Sequence, residues 1–418
     1  MTASRSRSAL SPVFWVLFWG TLVNRSASFV VVFLALHLTQ DIGITKATAG
    51  WIVGCWGIGG WLASPVAGVL TDQIGRRATM LLGLVLGGAC VLAIAFASGV
   101  GLLFGLAFLG GATQQLFFPA CNAAIADVVP APDRPRAYGL IYWAANLGLA
   151  IGFVVGGLVP DRYIWLLFIA DAGTTFVCAA VVAWRVPETR PATTHHESAL
   201  RGLARVAADR TFLAFAGLHL LSLMIFTQFQ LALPLDMKAH GHGSRGFSWL
   251  MAFNCAGVVV LQPWLARRLR RFDGSRLLAI ASLLFGLGYG LNALVPGLAS
   301  SLAELGLGGA HAWSLALYLA GSALWTVGEV IGFPVASTLV ADLAPVALRG
   351  RYQGAFSMVW GMSMGFSPIV GGQMIDRFGA PALWALCLCV GTAVAAGHLI
   401  AAPARRERLA VLAADRAN

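Results

Sequence analysis

The chain has 418 residues, of which 58% are hydrophobic and only 11% are charged, and its formal net charge is +11. This composition excludes an ordinary soluble globular domain. A transmembrane helix needs about 20 apolar residues to cross roughly 30 Å of hydrocarbon. Stretches of that length follow one another along nearly the whole chain.

Twelve apolar stretches predict an all-α integral membrane protein. The predicted helices, labelled H1 to H12, cover residues 12–38, 47–71, 78–98, 101–128, 137–158, 163–184, 211–237, 246–266, 277–296, 313–343, 353–375 and 380–402. Charged residues separate neighbouring stretches, because a charge at the bilayer centre costs several kcal/mol. H1 has no small-residue cleavage site after a short core, so it is expected to remain as a helix rather than a removed signal peptide.

A hydrophilic stretch divides the twelve predicted helices into six and six. The expected parts are an N-terminal six-helix bundle (1–184), a cytoplasmic linker (185–210), a C-terminal six-helix bundle (211–402) and a cytoplasmic tail (403–418). The linker holds the pair His195 and His196, which no cysteine or carboxylate accompanies at metal-ligand spacing. We therefore expect neither a metal site nor a cofactor.

The basic residues follow the predicted topology. Most of the 28 lysines and arginines lie on the side of the membrane that holds both termini, so the positive-inside rule predicts cytoplasmic termini. The net charge then reflects topology and not a nucleic-acid partner. Arginine and alanine dominate over only two lysines, Lys46 and Lys238, which is typical of a GC-rich bacterium and predicts the bacterial cytoplasmic (inner) membrane.

The second half of the chain repeats the first at an offset of 215 residues. Ten residues match in register: Pro119, Asp127, Pro130, Arg134, Arg136, Gly139, Gly156, Gly157, Asp161 and Arg162 correspond to Pro334, Asp342, Pro345, Arg349, Arg351, Gly354, Gly371, Gly372, Asp376 and Arg377. Parallel six-helix repeats are the architecture of a large class of transporters. The predicted fold is therefore two pseudo-symmetric six-helix bundles.

The loop between H2 and H3 carries a specific pattern, Gly68 to Arg77, with the sequence GVLTDQIGRR. It resembles the G-x-L-x-D-x-x-G-R-R motif of the major facilitator superfamily, and the resemblance extends over nearly the whole chain. It implies that Asp72, Arg76 and Arg77, with Asp127 at the end of H4, form a cytoplasmic gate whose ion pairs differ between access states. The alternative is that these charges only anchor the topology.

Within that family the chain looks most like the twelve-helix drug:proton antiporters. Gly148, Gly152, Gly156 and Gly157 in H5 resemble the glycine-rich antiporter motif, in which small residues allow close helix packing. Phe153 stands where the family usually has proline. H4 is apolar at Gly105-Leu106-Ala107 and lacks the membrane arginine of those antiporters, so proton coupling would have to lie elsewhere.

Ionisable residues inside membrane helices are costly and mark functional sites. Arg25 in H1 and Glu329 in H10 lie near the membrane midplane, on helices that line the central cavity of the family. We expect Glu329 to bind and release protons. Arg25 is expected to act as its charged partner in only some of the access states. The alternative is a permanent pair that joins the halves. Asp171 in H6 is expected to be a packed, hydrogen-bonded residue.

Polar and aromatic side chains on the inner helices predict an amphipathic substrate cavity. The candidate cavity residues are Asn24, Gln114, Gln115, Phe118, Trp143, Asn146, Phe226, Gln228, Gln230, Asn254 and Trp325. Such a lining suits lipophilic, often cationic molecules, although ordinary helix packing explains part of the set.

The hypothesis that follows is proton-coupled export of drug-like or natural-product molecules by a monomer in the lipid bilayer. Proton-coupled uptake of a nutrient such as a small peptide is the alternative, because a Gly-Glu pair before a proline in H10 and an arginine in H1 also resemble peptide symporters. An enzyme is not expected, since no phosphate-binding loop, nucleophile with a base, or metal cluster is present in the sequence.

Overall fold

The computed structural model describes residues 10–28, 30–130, 133–190, 206, 208–269, 272–306, 309–345 and 349–417. In these ranges the chain forms α1 (Pro12–Ser26), α2 (Val30–Gln40), α3 (Lys46–Gln73), α4 (Arg76–Ile94), α5 (Val100–Val128), α6 (Arg134–Leu158), α7 (Ile164–Arg185), α8 (Arg210–Phe226), α9 (Ala232–Ala239), α10 (Gly243–Leu269), α11 (Gly274–Gly290), α12 (Val295–Glu304), α13 (Ala310–Leu343), α14 (Arg349–Phe378), α15 (Ala380–Ile400) and α16 (Ala402–Ala417). Single 3₁₀ turns cover Asp161–Tyr163, Thr227–Gln230 and Leu291–Leu294. Helices satisfy their backbone hydrogen bonds internally, which a bilayer requires.

Nine helical stretches in the described part of the chain are long and apolar enough to cross a membrane. They coincide with H2, H3, H4, H6, H7, H8, H9, H10 and H12, and this confirms the prediction of a multi-pass, all-α membrane protein. H1, H5 and H11 fall on α1 with α2, on α6, and on α14. In α6 the apolar part, Trp143–Leu158, is shorter than a full span. The count of twelve therefore stays a prediction.

Three predicted helices are not continuous α-helices: H9 contains the 3₁₀ turn Leu291–Leu294, and H1 and H7 are divided. H1 is divided into α1 and α2 after Ala27, whose backbone angles of φ −119° and ψ 14° leave the α-helical region. Arg25 therefore lies in the last turn of α1 and not within an unbroken helix. H7 is divided at Leu231, with φ −134° and ψ −58°, between a 3₁₀ turn and α9. The break at Leu231 lies within one turn before Pro234, which has no N–H for the carbonyl of Gln230, whereas no proline or glycine lies beside the break after Ala27.

The internal repeat is visible in the helix ends. Helices α5 and α13 end at Val128 and Leu343, and α7 and α15 end at Arg185 and Ile400. The cap amides of Val129 and Ala344 donate to the carbonyls of Ile125 and Val340, again 215 residues apart. The offset read from the sequence therefore positions the same helix ends in both halves.

The described chain forms two compact units, each with its own apolar core. The first comprises residues 1–31 and 58–195, and the second 32–57 and 196–418. In the first unit α4 packs on α5 and α7, and α1 packs on α6 and α7. In the second unit α11 packs on α13 and α15, and α8 packs on α14 and α15. The predicted boundary after residue 184 stays a prediction.

Candidate functional site

The carboxylate of Glu329 lies on α13 of the second unit and is held by a polar side chain of α10. Its Oε2 accepts a hydrogen bond of 2.9 Å from Nδ2 of Asn254. The same Nδ2 donates to Oγ1 of Thr326 at 3.0 Å, and that hydroxyl donates to the carbonyl of Ser322 at 2.7 Å. Two residues predicted from separate helices, Glu329 and Asn254, are thus in direct contact.

No lysine, arginine or histidine of the described second unit forms an ion pair with Glu329. A carboxylate that meets a neutral amide instead of a cation is stabilised less in its charged form. Cys255, the next residue along α10, is also close enough to Glu329 to interact with it electrostatically. Such a carboxyl group is suited to taking up and releasing a proton.

Aromatic rings surround Phe226 at the end of α8, close to the Glu329 helix. Ring centroids of Phe229, Phe285, Trp325, Phe333 and Trp360 lie 5.0 to 6.1 Å from that of Phe226. We name these six residues the Phe226 cluster. Trp325 is buried, whereas Trp360 is 38% exposed. The cluster therefore joins packed rings to a ring that a ligand can reach.

The predicted cavity residues Gln228 and Gln230 lie in the 3₁₀ turn that interrupts H7, and both are buried. The Gln228 Nε2 donates to the carbonyls of Met224 at 3.2 Å and Ser367 at 3.4 Å. The Gln230 Nε2 donates to the carbonyl of Thr227 at 3.4 Å. Both amide groups thus donate to backbone carbonyls. The buried Oε1 of Gln228 has no hydrogen-bond partner among the described atoms.

Arg25 lies in the first unit, where its guanidinium covers the ring of Phe118 with its Cζ 4.2 Å from the ring centroid. Its Nε is buried without a hydrogen-bond partner among the described atoms. Asp171 is close enough to act electrostatically on Arg25. Asn24 donates to Thr175 Oγ1 at 3.0 Å, and Thr175 donates to Asp171 Oδ1 at 3.4 Å. Asp171 is buried and hydrogen-bonded, as predicted.

The glycines of H5 allow α6 to approach the end of α1. A Cβ added to Gly148 would lie 2.7 Å from the Leu22 carbonyl oxygen and 2.8 Å from the Arg25 Cβ. A Cβ on Gly152 would lie 3.0 Å from the carbonyl oxygen of Ser26. These small residues therefore set the position of Arg25.

The remaining candidate cavity residues differ in environment. Trp143 is 51% exposed and stacks on Phe18 at 6.3 Å between centroids. Gln114, Gln115 and Asn146 are partly buried on α5 and α6. Their role as a cavity lining stays a prediction.

The gate residues lie where α3, α4, α5 and the end of α7 meet in the first unit. Arg76 Nε donates to Asp127 Oδ2 at 2.9 Å, with the two side chains 8% and 19% exposed. Arg76 Nη1 also donates to the Thr71 carbonyl at 3.1 Å, and Thr189 Oγ1 donates to Asp127 Oδ2 at 3.0 Å. Arg77 Nη2 donates to the Ala183 carbonyl. The side chain of Asp72 is outside the described residues.

Glu188 completes this cluster and was not predicted. Its carboxylate accepts the backbone N–H of Arg76 at 2.8 Å and that of Arg77 at 3.2 Å, and so caps the first turn of α4. Gly75 precedes that turn at φ +100°, and a Cβ there would lie 2.3 Å from the Glu188 Oε2. Gly75 has no side chain that could cap α4. Its position before the helix was the only indication in the sequence that another residue would have to provide the cap.

The helices and these sites define a multi-pass membrane transport protein. The profile of the Major Facilitator Superfamily matches residues 17–320 and 215–414. The chain belongs to that superfamily, whose members carry small molecules across membranes and are not enzymes.

Several bacterial relatives are similar over most of the chain. A transporter of Bacillus subtilis described as an uncharacterized MFS-type transporter, YhjO, is 27% identical over 92% of this chain and 87% of its own length. Multidrug resistance protein 1 of Bacillus subtilis is 26% identical over 85% and 88%. A Na(+), Li(+), K(+)/H(+) antiporter of Planococcus maritimus is 24% identical over 83% and 85%. These relatives imply a bacterial inner membrane.

Solved structures share the fold at low sequence identity. The nucleoside transporter NupG has a TM-score of 0.75 at 13% identity, covering 95% of this chain and 99% of that chain. A structure of the peptide transporter POT has a TM-score of 0.75 at 17% identity, covering 96% and 95%. Both similarities concern the fold alone.

Proposed function

We propose that this protein exports small lipophilic molecules, including cations, in exchange for protons. The observation that carries the proposal is the Glu329 carboxylate, which contacts the neutral amide of Asn254 beside the Phe226 cluster. A carboxyl group without a cation partner can change its charge, and adjacent rings attract apolar and cationic groups. The relatives described as multidrug resistance proteins support the same substrate class.

Alternating access links the two properties of this site. In this scheme a proton and a lipophilic cation compete for Glu329, because the cation is favoured beside a charged carboxylate and disfavoured beside a neutral one. The proton that enters from the outer side displaces the substrate there, and its release on the inner side restores the charge. Arg25 lies over Phe118 beside Asp171 and contributes a fixed positive charge of the first unit.

The Arg76–Asp127 pair is proposed as part of the gate. It is largely shielded from solvent and is tied through Thr189 to the segment after α7. Breaking it leaves a charge poorly solvated, so it favours one arrangement of these helix ends strongly. The basic side of the chain, which includes this cluster, is proposed to be cytoplasmic together with both termini, in a protein that works as a monomer.

Transport in proteoliposomes tests the proposed function. Purified protein is reconstituted with an acidic interior, and accumulation of tetraphenylphosphonium is measured for the wild type and for Glu329→Gln. We expect the wild type to accumulate the cation in proportion to the gradient and the variant to lose this dependence. Exchange of labelled for unlabelled cation at equal pH should be weaker in the variant and should no longer depend on pH, because glutamine lacks both the charge that favours the cation and the proton that displaces it.

Glu304→Gln is the matched control, since Glu304 is an exposed carboxylate at the end of α12. It should transport as the wild type does. Accumulation that ignores the gradient, together with an unimpaired Glu329→Gln variant, would show the coupling hypothesis to be wrong. Accumulation of a dipeptide driven by an acidic exterior would instead support nutrient uptake.

A further inference from the structure

A second cluster of titratable groups lies in the second unit, at the end of H7 that follows its break. Asp236 on α9 is buried, with a side chain only 4% exposed. Its Oδ2 accepts two hydrogen bonds from neutral donors, Tyr318 Oη at 2.8 Å and Trp384 Nε1 at 2.9 Å. These donors lie on α13 and α15. Three helices of the second unit therefore converge on one carboxylate.

His240 connects this carboxylate to a more exposed position. Its Nδ1 lies 3.6 Å from Asp236 Oδ1 and 3.1 Å from Tyr318 Oη, and its side chain is 25% exposed. The Tyr318 hydroxyl thus stands between the buried carboxyl group and the imidazole. The same Nδ1 lies 2.9 Å from the backbone carbonyl oxygen of Asp236, which can only accept, so Nδ1 carries a hydrogen. A proton on His240 Nδ1 can pass to the Tyr318 oxygen while the Tyr318 proton passes to Asp236 Oδ2. The tyrosine is unchanged by the transfer, and one proton has moved from His240 to Asp236.

The other charged and titratable groups that face Asp236 are few. Lys46 at the start of α3 acts on it electrostatically. His242 donates to or accepts from Ser314 Oγ at 2.7 Å, and its ring lies 4.2 Å from that of His311. Burial, aided by His311 and His240, lowers the pKa of His242 to about 4. His242 is therefore neutral near pH 7, which leaves His240 as the partly exposed imidazole beside Asp236.

Aromatic packing connects this cluster to the Phe226 cluster. The ring of Trp384, whose Nε1 binds Asp236, stacks on Tyr289 with 5.8 Å between centroids. Tyr289 stacks in turn on Trp325 at 5.8 Å, and its hydroxyl donates to the Phe226 carbonyl at 2.7 Å. Direct contacts therefore lead without a gap from Asp236 through Trp384 and Tyr289 to the rings beside Glu329.

We propose that Asp236, Tyr318 and His240 form a second proton-binding site of this transporter. The proposal rests on the proposed proton-coupled function and adds to it a group that takes up a proton away from Glu329. His240 serves as the entry, Tyr318 as the relay and Asp236 as the acceptor. Protonation removes the charge that holds the Tyr318 and Trp384 donors in place, and Tyr289 links this event to the substrate region.

Infrared difference spectroscopy tests the site without a substrate. Spectra of the purified protein in lipid are recorded between neutral and acidic pH, and the carbonyl band of protonated carboxyl groups is followed. We expect one component of this band to be absent in Asp236→Asn. In Tyr318→Phe the same component should appear at a higher pH, by about one unit or more, because the charged carboxylate loses a hydrogen-bond donor.

Tyr318→Phe keeps the ring and so separates a titration effect from a failure to fold. Asp376→Asn is the control, because Asp376 is an exposed carboxylate that accepts the Ala47 N–H at 2.7 Å, and it should leave the component in place. A carboxyl band that is the same in Asp236→Asn and the wild type would overturn the second site, whatever Glu329→Gln does. An altered band with normal transport by Glu329→Gln would overturn only the proposed role of Glu329.

Discussion

The cap that Glu188 places on α4 shows how a single residue can determine a local structure. The first N–H groups of a helix have no partner inside it, and the carboxylate of Glu188 satisfies those of Arg76 and Arg77. Its negative charge is favoured at the helix N-terminus. The position of Arg76, and through it the ion pair with Asp127, therefore depends on a residue more than 100 positions later in the chain.

Glu188→Gln and Asp127→Asn are expected to act on access and not on substrate. Glu188→Gln should lower the free energy of unfolding by about 1 kcal/mol and speed amide exchange at Arg76 and Arg77, because glutamine lacks the charge and the second acceptor oxygen. Both variants should slow tetraphenylphosphonium exchange across the membrane while its binding affinity in detergent stays unchanged. Weaker binding with unaltered exchange kinetics would contradict the gate.

Much of the site could be foreseen at the residue scale, but not its contacts. Arg25 and Glu329 were predicted because ionisable groups are costly inside a membrane, Asn254 was predicted as a polar residue of an inner helix, and Asp127 was predicted from the resemblance of the H2–H3 loop. The contact of Asn254 with Glu329 joins α10 to α13, and no local pattern indicates which faces of two helices meet. Glu188 was missed for the same reason: its partners are distant in sequence, and an acidic residue in a linker is usually solvated.

At the scale of elements, length and apolarity were sufficient to predict where helices lie. They were not sufficient to predict the interruptions after Ala27 and at Leu231, because polar residues and prolines such as those beside these two breaks also occur within continuous membrane helices. Tertiary contacts stabilise the second of these interruptions. Thr227 donates to the Leu223 carbonyl and bonds to Ser363 on α14, each at 2.8 Å. The Gln228 amide adds bonds to backbone carbonyls beside the break.

The packing of α6 on α1 predicts opposite effects for two similar substitutions. Gly148→Ala should destabilise the first unit by about 1–3 kcal/mol, because the new Cβ would collide with the backbone of α1 and displace Arg25. Gly105→Ala on α5 is the matched control, since no atom lies within 4 Å of the added Cβ. It should be neutral or stabilise by up to about 1 kcal/mol.

Thermal unfolding of both variants in the same detergent measures this difference. The sign of the change in the unfolding midpoint distinguishes the two expectations. If the two alanine variants had equal midpoints, the close approach of α6 to Leu22 and Arg25 would not exist in the protein. An intermediate result for Gly152→Ala is expected, because its nearest contact is 3.0 Å instead of 2.7 Å.

At the scale of the whole molecule, the two halves share a contact as well as the ten matching residues. In each half, the segment after the sixth helix contacts the N-terminus of an earlier helix. In the first unit the segment after α7 returns to the N-terminus of α4, where Glu188 caps it. In the second unit α16 follows α15 and returns to the N-terminus of α11, where Arg406 Nε lies 3.2 Å from Asp273 Oδ2. Asp273 itself caps α11 by accepting the N–H of Arg276 at 3.1 Å.

The two halves therefore use opposite charges at equivalent places. In the first the anion comes from the segment after the last helix, whereas in the second the anion belongs to the capped helix and the following segment supplies a cation. The sequence repeat did not reveal this, because Glu188 has no acidic counterpart in register. Asp273 is partly buried, which raises its pKa, but the N–H of Arg276 and the charge of Arg406 outweigh burial, so the pKa is lowered.

Removal of the Arg406 charge is expected to lower the stability of the second unit and to leave the first unit unchanged. With Arg406→Gln the pKa of Asp273 should return towards its ordinary value of about 3.9. Because the folded-state pKa of Asp273 is lowered, its contribution to stability is present above that ordinary value and is lost as the pH falls through the folded-state pKa. The variant should therefore be less stable than the wild type at neutral pH, by up to about 1 kcal/mol, with the difference vanishing in acid.

Hydrogen exchange followed by mass spectrometry measures where this loosening occurs. Peptides that contain the first turn of α11 should exchange faster in Arg406→Gln at pH 7, while peptides that contain the first turn of α4 should not change. Glu407→Gln is the matched control, since it alters the neighbouring charge on α16 and keeps the contact of Arg406 with Asp273. Faster exchange at α4 in Arg406→Gln, or equal exchange at α11 in both variants, would show that the tail helix does not stabilise its own half through this pair.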